Sequence, residues 1–141
     1  MIKIGTKQYS LMIVYAIALH YLIGIALFTD PAAVNATGVA IFETLFDFAP
    51  VGIAMLSWVV ASLALVSLLM PLGRWSIALM LPQQFMLMIS AYGALTAMVI
   101  GQYGDGVERP KMFIMADQMP QILAAVFHTL AMIGRASEEP G

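Results

Sequence analysis

Long apolar blocks, cut by short polar connections, make up this chain. A helix that crosses a bilayer needs about 20 mostly apolar residues. Four stretches reach that length. The first runs from about Ser10 to Thr29, contains the uncharged LMIVYAIALHYLIGIALF (Leu11–Phe28), and is closed by Asp30-Pro31. The second, about Pro50 to Met70, opens with proline at a favourable first helical position and stops at Pro71-Leu-Gly73. The third, about Ser76 to Ile100, is followed by the turn-rich GQYGDG that begins at Gly101. The fourth lies within Pro110 to Gly134, about residues 113–134. No soluble domain fits in what remains, so residues 1–141 read as a single transmembrane domain. Short connections make successive helices antiparallel. The expected architecture is an all-α integral membrane protein, an up-down four-helix transmembrane bundle.

The first connection departs from simple loop patterning. GVAIFETLFDF (Gly38–Phe48) is apolar, but Glu43, Thr44 and Asp47 interrupt it at a spacing that puts all three on one helical face. Extending the second span back to Gly38 would give a helix of roughly 50 Å at 1.5 Å per residue, against a hydrocarbon core of about 30 Å. A break near Ala49-Pro50 is cheaper, and a short interfacial helix is expected there.

Composition agrees with the block pattern. Hydrophobic residues are 62% of the chain and charged residues 10%, whereas soluble domains hold roughly 45–50% and about 25%. A net charge of −2 without a Lys/Arg cluster argues against nucleic acid as a partner. The absence of cysteine removes disulfides, thiolate metal sites, Fe–S clusters and thiol catalysis. Lys3, Lys7, Arg74 and Arg135 fall on one side of the expected topology, Arg109 and Lys111 on the other. By the positive-inside rule both termini are then cytoplasmic. A cleaved signal peptide is not expected. The first apolar run is about 19 residues, longer than the roughly 7–15 of a signal core. The sequon Asn35-Ala-Thr37 would matter only in a glycosylating host.

Polar residues inside such spans must face the bundle interior or a wet cavity, because an unpaired polar group in hydrocarbon costs several kcal/mol. Ala16, His20 and Gly24 form one stripe of the first span. Asp117, Gln121, Ala124 and His128 form a single face of the fourth. The third contributes LPQQF, in which Pro82 cannot bond the carbonyl of Ala78 and Gln83 and Gln84 follow at once. By depth, His20, His128 and the glutamine pair converge on one layer. The expected intramembrane polar network is therefore His20, Gln83, Gln84, Asp117, Gln121 and His128.

Three readings of His20 compete. The first is a neutral imidazole that staples helices together by hydrogen bonds, worth about 0.6–2 kcal/mol each in a membrane. The second is a proton- or ion-handling residue or a pore liner. The third is axial ligation of a b-type haem by His20 and His128, with Gly24 leaving room for the ring. Arg135, seven residues beyond His128, is the nearest arginine for a propionate. The staple is preferred and no bound cofactor is expected. Asp117 reads best as the N-cap of a helix that starts at Gln118, with RPKMFIMA lying on the membrane. The alternative places Asp117 two or three turns inside a helix that starts at Pro110.

Other features read as scaffold. Gly93, Ala97 and Gly101 form a small-residue ridge suited to helix packing or an oligomer contact. Trp75, Tyr9 and Tyr103 sit at span boundaries, and Trp58 lies deeper. The methionines scatter as adaptable filler, and GDG at 104–106 is a turn. No nucleophile–base pair, phosphate loop or metal-ligand triplet is legible, so catalysis by the isolated chain is not expected.

In architecture the chain resembles the small multi-span proteins of bacteria and their phages, including holin-type lysis proteins that oligomerise and permeabilise the inner membrane. The resemblance implies a pore-forming oligomer. Such proteins often end in a strongly basic tail, whereas this chain ends GRASEEPG. An accessory or anchor subunit of a larger membrane complex is the alternative, and a b-haem subunit a third. Reporter fusions test the topology. A reporter at Gly141 is expected to read as cytoplasmic, and a periplasmic signal would require an odd number of spans or inverted insertion.

Overall fold

The computed structural model describes residues 6–29, 50–102 and 107–137. Five helices and no strand occur among them: α1 (Thr6–Thr29), α2 (Pro50–Leu69), α3 (Arg74–Ala78), α4 (Leu81–Ile100) and α5 (Lys111–Ser137). Three stretches are long and apolar enough to cross a membrane: Tyr9–Thr29, Val51–Leu69, and Arg74–Ile100, which joins α3 to α4. The protein is thus all-helical among its described residues, with three such helical stretches. α5 is longer than α1 but more polar, since it carries Lys111, Asp117 and Arg135. The interfacial helix expected at Gly38–Phe48 lies outside the described residues, as do Tyr103 and the GDG turn.

The helix ends follow from local chemistry. Pro50 opens α2, where its missing N–H would be unpaired in any case. α3 begins beside Gly73, whose N–H donates to Ser76 Oγ at 3.0 Å, while the same hydroxyl donates to the Gly73 carbonyl at 2.8 Å. The expected third span is broken at Leu79–Met80. Pro82 has no N–H for the Ala78 carbonyl, so the chain tightens, with the Met80 N–H on the Ile77 carbonyl at 3.0 Å. The helix resumes when the Gln84 N–H reaches the Met80 carbonyl at 3.0 Å. α4 ends at Gly101, whose φ of 83° is left-handed and whose N–H bonds the Ala97 carbonyl at 2.8 Å.

The four long helices form a ring. α1 packs along α2 on one side and along α5 on the other; α4 packs along α5; α2 and α4 meet lightly. Apolar burial gives helices little reason to associate in lipid, so close backbone approach has to hold them. The contacts are accordingly built on small residues: Ala16, Ala61, Ala64, Ala97, Ala124 and Ala131 are all fully buried. Ile13 and Ile17 of α1 meet Ala61, Ala64, Met80 and Ala131 in one cluster. Toward the other end of α1, Leu27 meets Ile53, Ala54 and Met86 in a second. The Gly93/Ala97/Gly101 ridge is buried within the chain, with Ala97 against Ile114 of α5. Leu22, Leu69, Val99 and Ile133, by contrast, are more than 60% exposed, as suits side chains that meet lipid.

Gly24 serves a different packing from the one expected of it. The space over it holds the indole of Trp58, which a Cβ at Gly24 would overlap. Trp58 Nε1 donates to the Tyr21 carbonyl at 3.3 Å, and the ring stacks on Phe28 at 5.5 Å between centroids. Gly134 likewise leaves room for the ring of Tyr9. Gly24→Ala should therefore displace Trp58 and cost about 1–3 kcal/mol as an overpacking change. Thermal unfolding in detergent, with tryptophan emission as the probe, checks this. Wild-type stability with unshifted emission would show that α1 and α2 do not meet there.

Candidate functional site

The imidazoles and amides of the interior come from three helices. α1 turns His20 inward, with 2% of its surface exposed. α4, restarted by the break before Pro82, brings Gln83 and Gln84 into its first turn. α5 supplies His128, and Gln83 and His128 are both fully buried. Gln83 lies between the two histidines: its Nε2 is 2.9 Å from His20 Nδ1, and its Oε1 is 3.1 Å from His128 Nε2. On the far side of His128, Nδ1 is 2.7 Å from Gln84 Oε1. Gln84 Nε2 donates to Thr129 Oγ1 at 2.6 Å, and that hydroxyl donates to the Ala125 carbonyl at 2.7 Å. The backbone of Ala16 is also hydrogen-bonded to His20. The result is one unbroken chain of hydrogen bonds, from His20 through Gln83, His128 and Gln84 to Thr129.

His20, Gln83, Gln84 and His128 are thus brought together, and Asp117 and Gln121 are not. They share a face with His128 but lie about three and two turns earlier on α5. The expectation that Asp117 caps a helix starting at Gln118 is corrected by the structure. α5 starts at Lys111 and runs through Asp117 and past Pro120. Asp117 is exposed and accepts from Gln118 Nε2 at 3.1 Å. Gln118 points inward, where its Oε1 is buried without a hydrogen-bond partner. At Pro120 the carbonyl accepts from Tyr15 Oη at 3.1 Å, which ties α1 to α5 near the ring's break in the helical ladder. Thr129 was missed. Its back-bond to the carbonyl four residues earlier is a common habit of threonine in helices and leaves the oxygen free to accept from a neighbour.

Other buried hydroxyls are bonded locally. Ser57 Oγ donates to the Ile53 carbonyl at 2.9 Å, and Ser67 Oγ to the Ser76 carbonyl, which ties α2 to α3. Tyr21 and Ser62 share a hydrogen bond of 2.8 Å between α1 and α2.

The histidines do not suit a haem. Axial ligation needs a free ring nitrogen on each histidine, with the macrocycle between the two rings. Here both nitrogens of His128 are held by glutamines, and the Gln83 amide fills the space between the rings. The room expected at Gly24 is taken by Trp58. Among the described residues, no group of three His, Asp or Glu side chains is placed to hold a metal ion.

Comparison with protein families, curated proteins and solved structures finds no match for this chain.

The geometry ranks substitutions. His20→Gln should keep much of the stability, because an amide offers both a donor and an acceptor. His20→Leu should cost about 1–2 kcal/mol through the group left unpaired on Gln83. Gln83→Leu should cost more, about 2–4 kcal/mol, because it strands both histidines at once. Unfolding in detergent measures all three. A Gln83→Leu protein as stable as wild type would show that the bridge holds nothing together.

Proposed function

We propose that the chain is a four-span protein of the bacterial inner membrane, with both termini cytoplasmic, that serves as a non-catalytic accessory or anchor subunit of a larger membrane complex. The fourth span is α5, which packs along α1 and α4 and so shares their depth. One observation carries the subunit reading. The two histidines and the glutamine pair are spent on one another: His20, Gln83, Gln84 and His128 form one hydrogen-bonded chain, with apolar clusters on either side. Ile13, Ile17, Met80 and Ala131 lie toward one membrane face, and Leu27, Ile53 and Met86 toward the other. Such a core fastens helices and, among the described residues, lines no passage through the single chain. What the protein offers to others is then its apolar outer surface and its short connections.

The holin-like, pore-forming reading draws on small size, span number and the lack of an enzymatic motif. It requires this interior to open, or polar side chains to line a space between copies, while the outward faces carry large apolar residues such as Leu22, Val99 and Ile133. A dye-release experiment separates the two. Purified full chain in liposomes of bacterial lipid should leave a trapped small fluorophore in place, and gentle extraction from native membranes should yield it in a stoichiometric hetero-complex. Dye release that rises steeply with protein-to-lipid ratio would overturn the subunit reading in favour of the pore.

A further inference from the structure

A glutamine amide presents oxygen from one side and NH2 from the other, and a neutral imidazole has one donor and one acceptor nitrogen. These two facts constrain the network strongly. If both glutamines turned their oxygens to His128, both ring nitrogens would have to donate and the ring would be an imidazolium. Among the described residues its hydrogen-bond partners are the two glutamines and no carboxylate, and a charge at the centre of a span costs at least about 2.5 kcal/mol. One glutamine therefore presents its NH2 to His128. Two neutral arrangements satisfy every contact among the imidazoles and amides, and they differ at the ends, where the Ala16 backbone bond to His20 and the Thr129 bond to the Ala125 carbonyl are each kept in one arrangement only. In the first, Gln83 donates to His20 Nδ1 and accepts from His128 Nε2–H, while Gln84 donates to His128 Nδ1 and accepts from the Thr129 hydroxyl, which then gives up its bond to the Ala125 carbonyl. In the second both amides are turned over: His20 Nδ1–H donates to Gln83, Gln83 donates to His128 Nε2, His128 Nδ1–H donates to Gln84, and Gln84 donates to Thr129.

We propose that His20 and His128 form a single two-state tautomeric unit, in which the Gln83 amide bridging their rings makes both carry the hydrogen on Nε2 or both on Nδ1. The proposal rests on the distances of 2.9, 3.1 and 2.7 Å along the chain, which fix who meets whom whichever way each amide is turned. Mixed states leave two donors or two acceptors facing each other in a buried, apolar setting, where an unmet polar group costs about 1–3 kcal/mol. Passage between the two states turns both amides by half a turn and moves the hydrogen of each ring from one nitrogen to the other, an exchange with water completed only when the bundle transiently opens. No charge is gained. The unit reverses the direction of a hydrogen-bond chain that crosses from α1 to α5, and it does so whether or not the protein joins a larger complex.

Full-length protein with 15N-labelled histidine, in lipid bilayers at neutral pH, gives a direct reading, because ring-nitrogen shifts distinguish the two tautomers. His20 and His128 are expected to show the same tautomer or, where both are populated, the same ratio. Of the two histidines Gln84 meets only His128, yet any change of ratio that Gln84→Met causes there should appear equally at His20. Gln83→Met removes the bridge, and the two ratios should then differ. Opposite tautomers in the wild type would overturn the proposal without recourse to any variant. So would a Gln84→Met protein in which His128 changes and His20 does not, or a Gln83→Met protein in which the ratios still agree.

Discussion

The Gln83 amide, fully buried between two imidazoles, is the interaction on which the rest of the core depends. In an apolar interior no water is at hand to replace a missing partner, so a polar side chain is costly unless another group of the protein satisfies it. Gln83 satisfies two, from two different helices. It joins α1 to α4, helices that lie across the ring from each other, and joins both to α5 through His128. Alanine contacts bring the backbones close, but flat small-residue surfaces slide easily past one another. A polar bridge at one depth fixes the register of all three helices.

That bridge depends in turn on a defect in a helix. Pro82 withholds an N–H from Ala78, and the chain breaks and restarts at Leu81. The restart puts Gln83 and Gln84 in a first turn, adjacent in sequence yet bonded to opposite nitrogens of one imidazole. In a continuous helix two adjacent residues point about 100° apart. Here both reach His128, one directed to the ring's inner edge and one to its outer edge beside Thr129.

Much of this was legible in the sequence, and the limits are physical. Span positions follow from block length and from Pro and Gly at the ends, so α1, α2 and α4 lie close to where the apolar blocks put them. Which residues share a face follows from the 3.6-residue period, which singles out His20 and His128. Depth does not follow from the period. Asp117 and Gln121 share the His128 face yet stand about three and two turns away from the network, because a shared face repeats at every turn of α5 and the network occupies one depth. Gly24 shows the same limit from another side. A glycine announces that something comes close, but whether that is a cofactor or the indole of Trp58 depends on a helix elsewhere in the chain. The Tyr15 bond to the Pro120 carbonyl was equally hidden, since backbone acceptors carry no sequence signature.

Histidines in a membrane invite the idea of a proton or ion path, and such a path must reach both faces of the bilayer. This chain of hydrogen bonds ends, on one side, at a backbone carbonyl within α5, where Thr129 donates to Ala125. Among the described residues, isoleucine, leucine, methionine and alanine close the interior above and below. Water would have to displace those clusters to reach either imidazole, and each displaced side chain would lose close contacts that lipid cannot restore in the bundle's interior. The arrangement therefore favours fastening over conduction. The freedom it keeps is internal, in the direction of the hydrogen bonds and not in the position of the helices. A core of this kind holds its shape while leaving the outer apolar surface as the part of the molecule that meets lipid and, as a subunit of the proposed kind, would meet its neighbours.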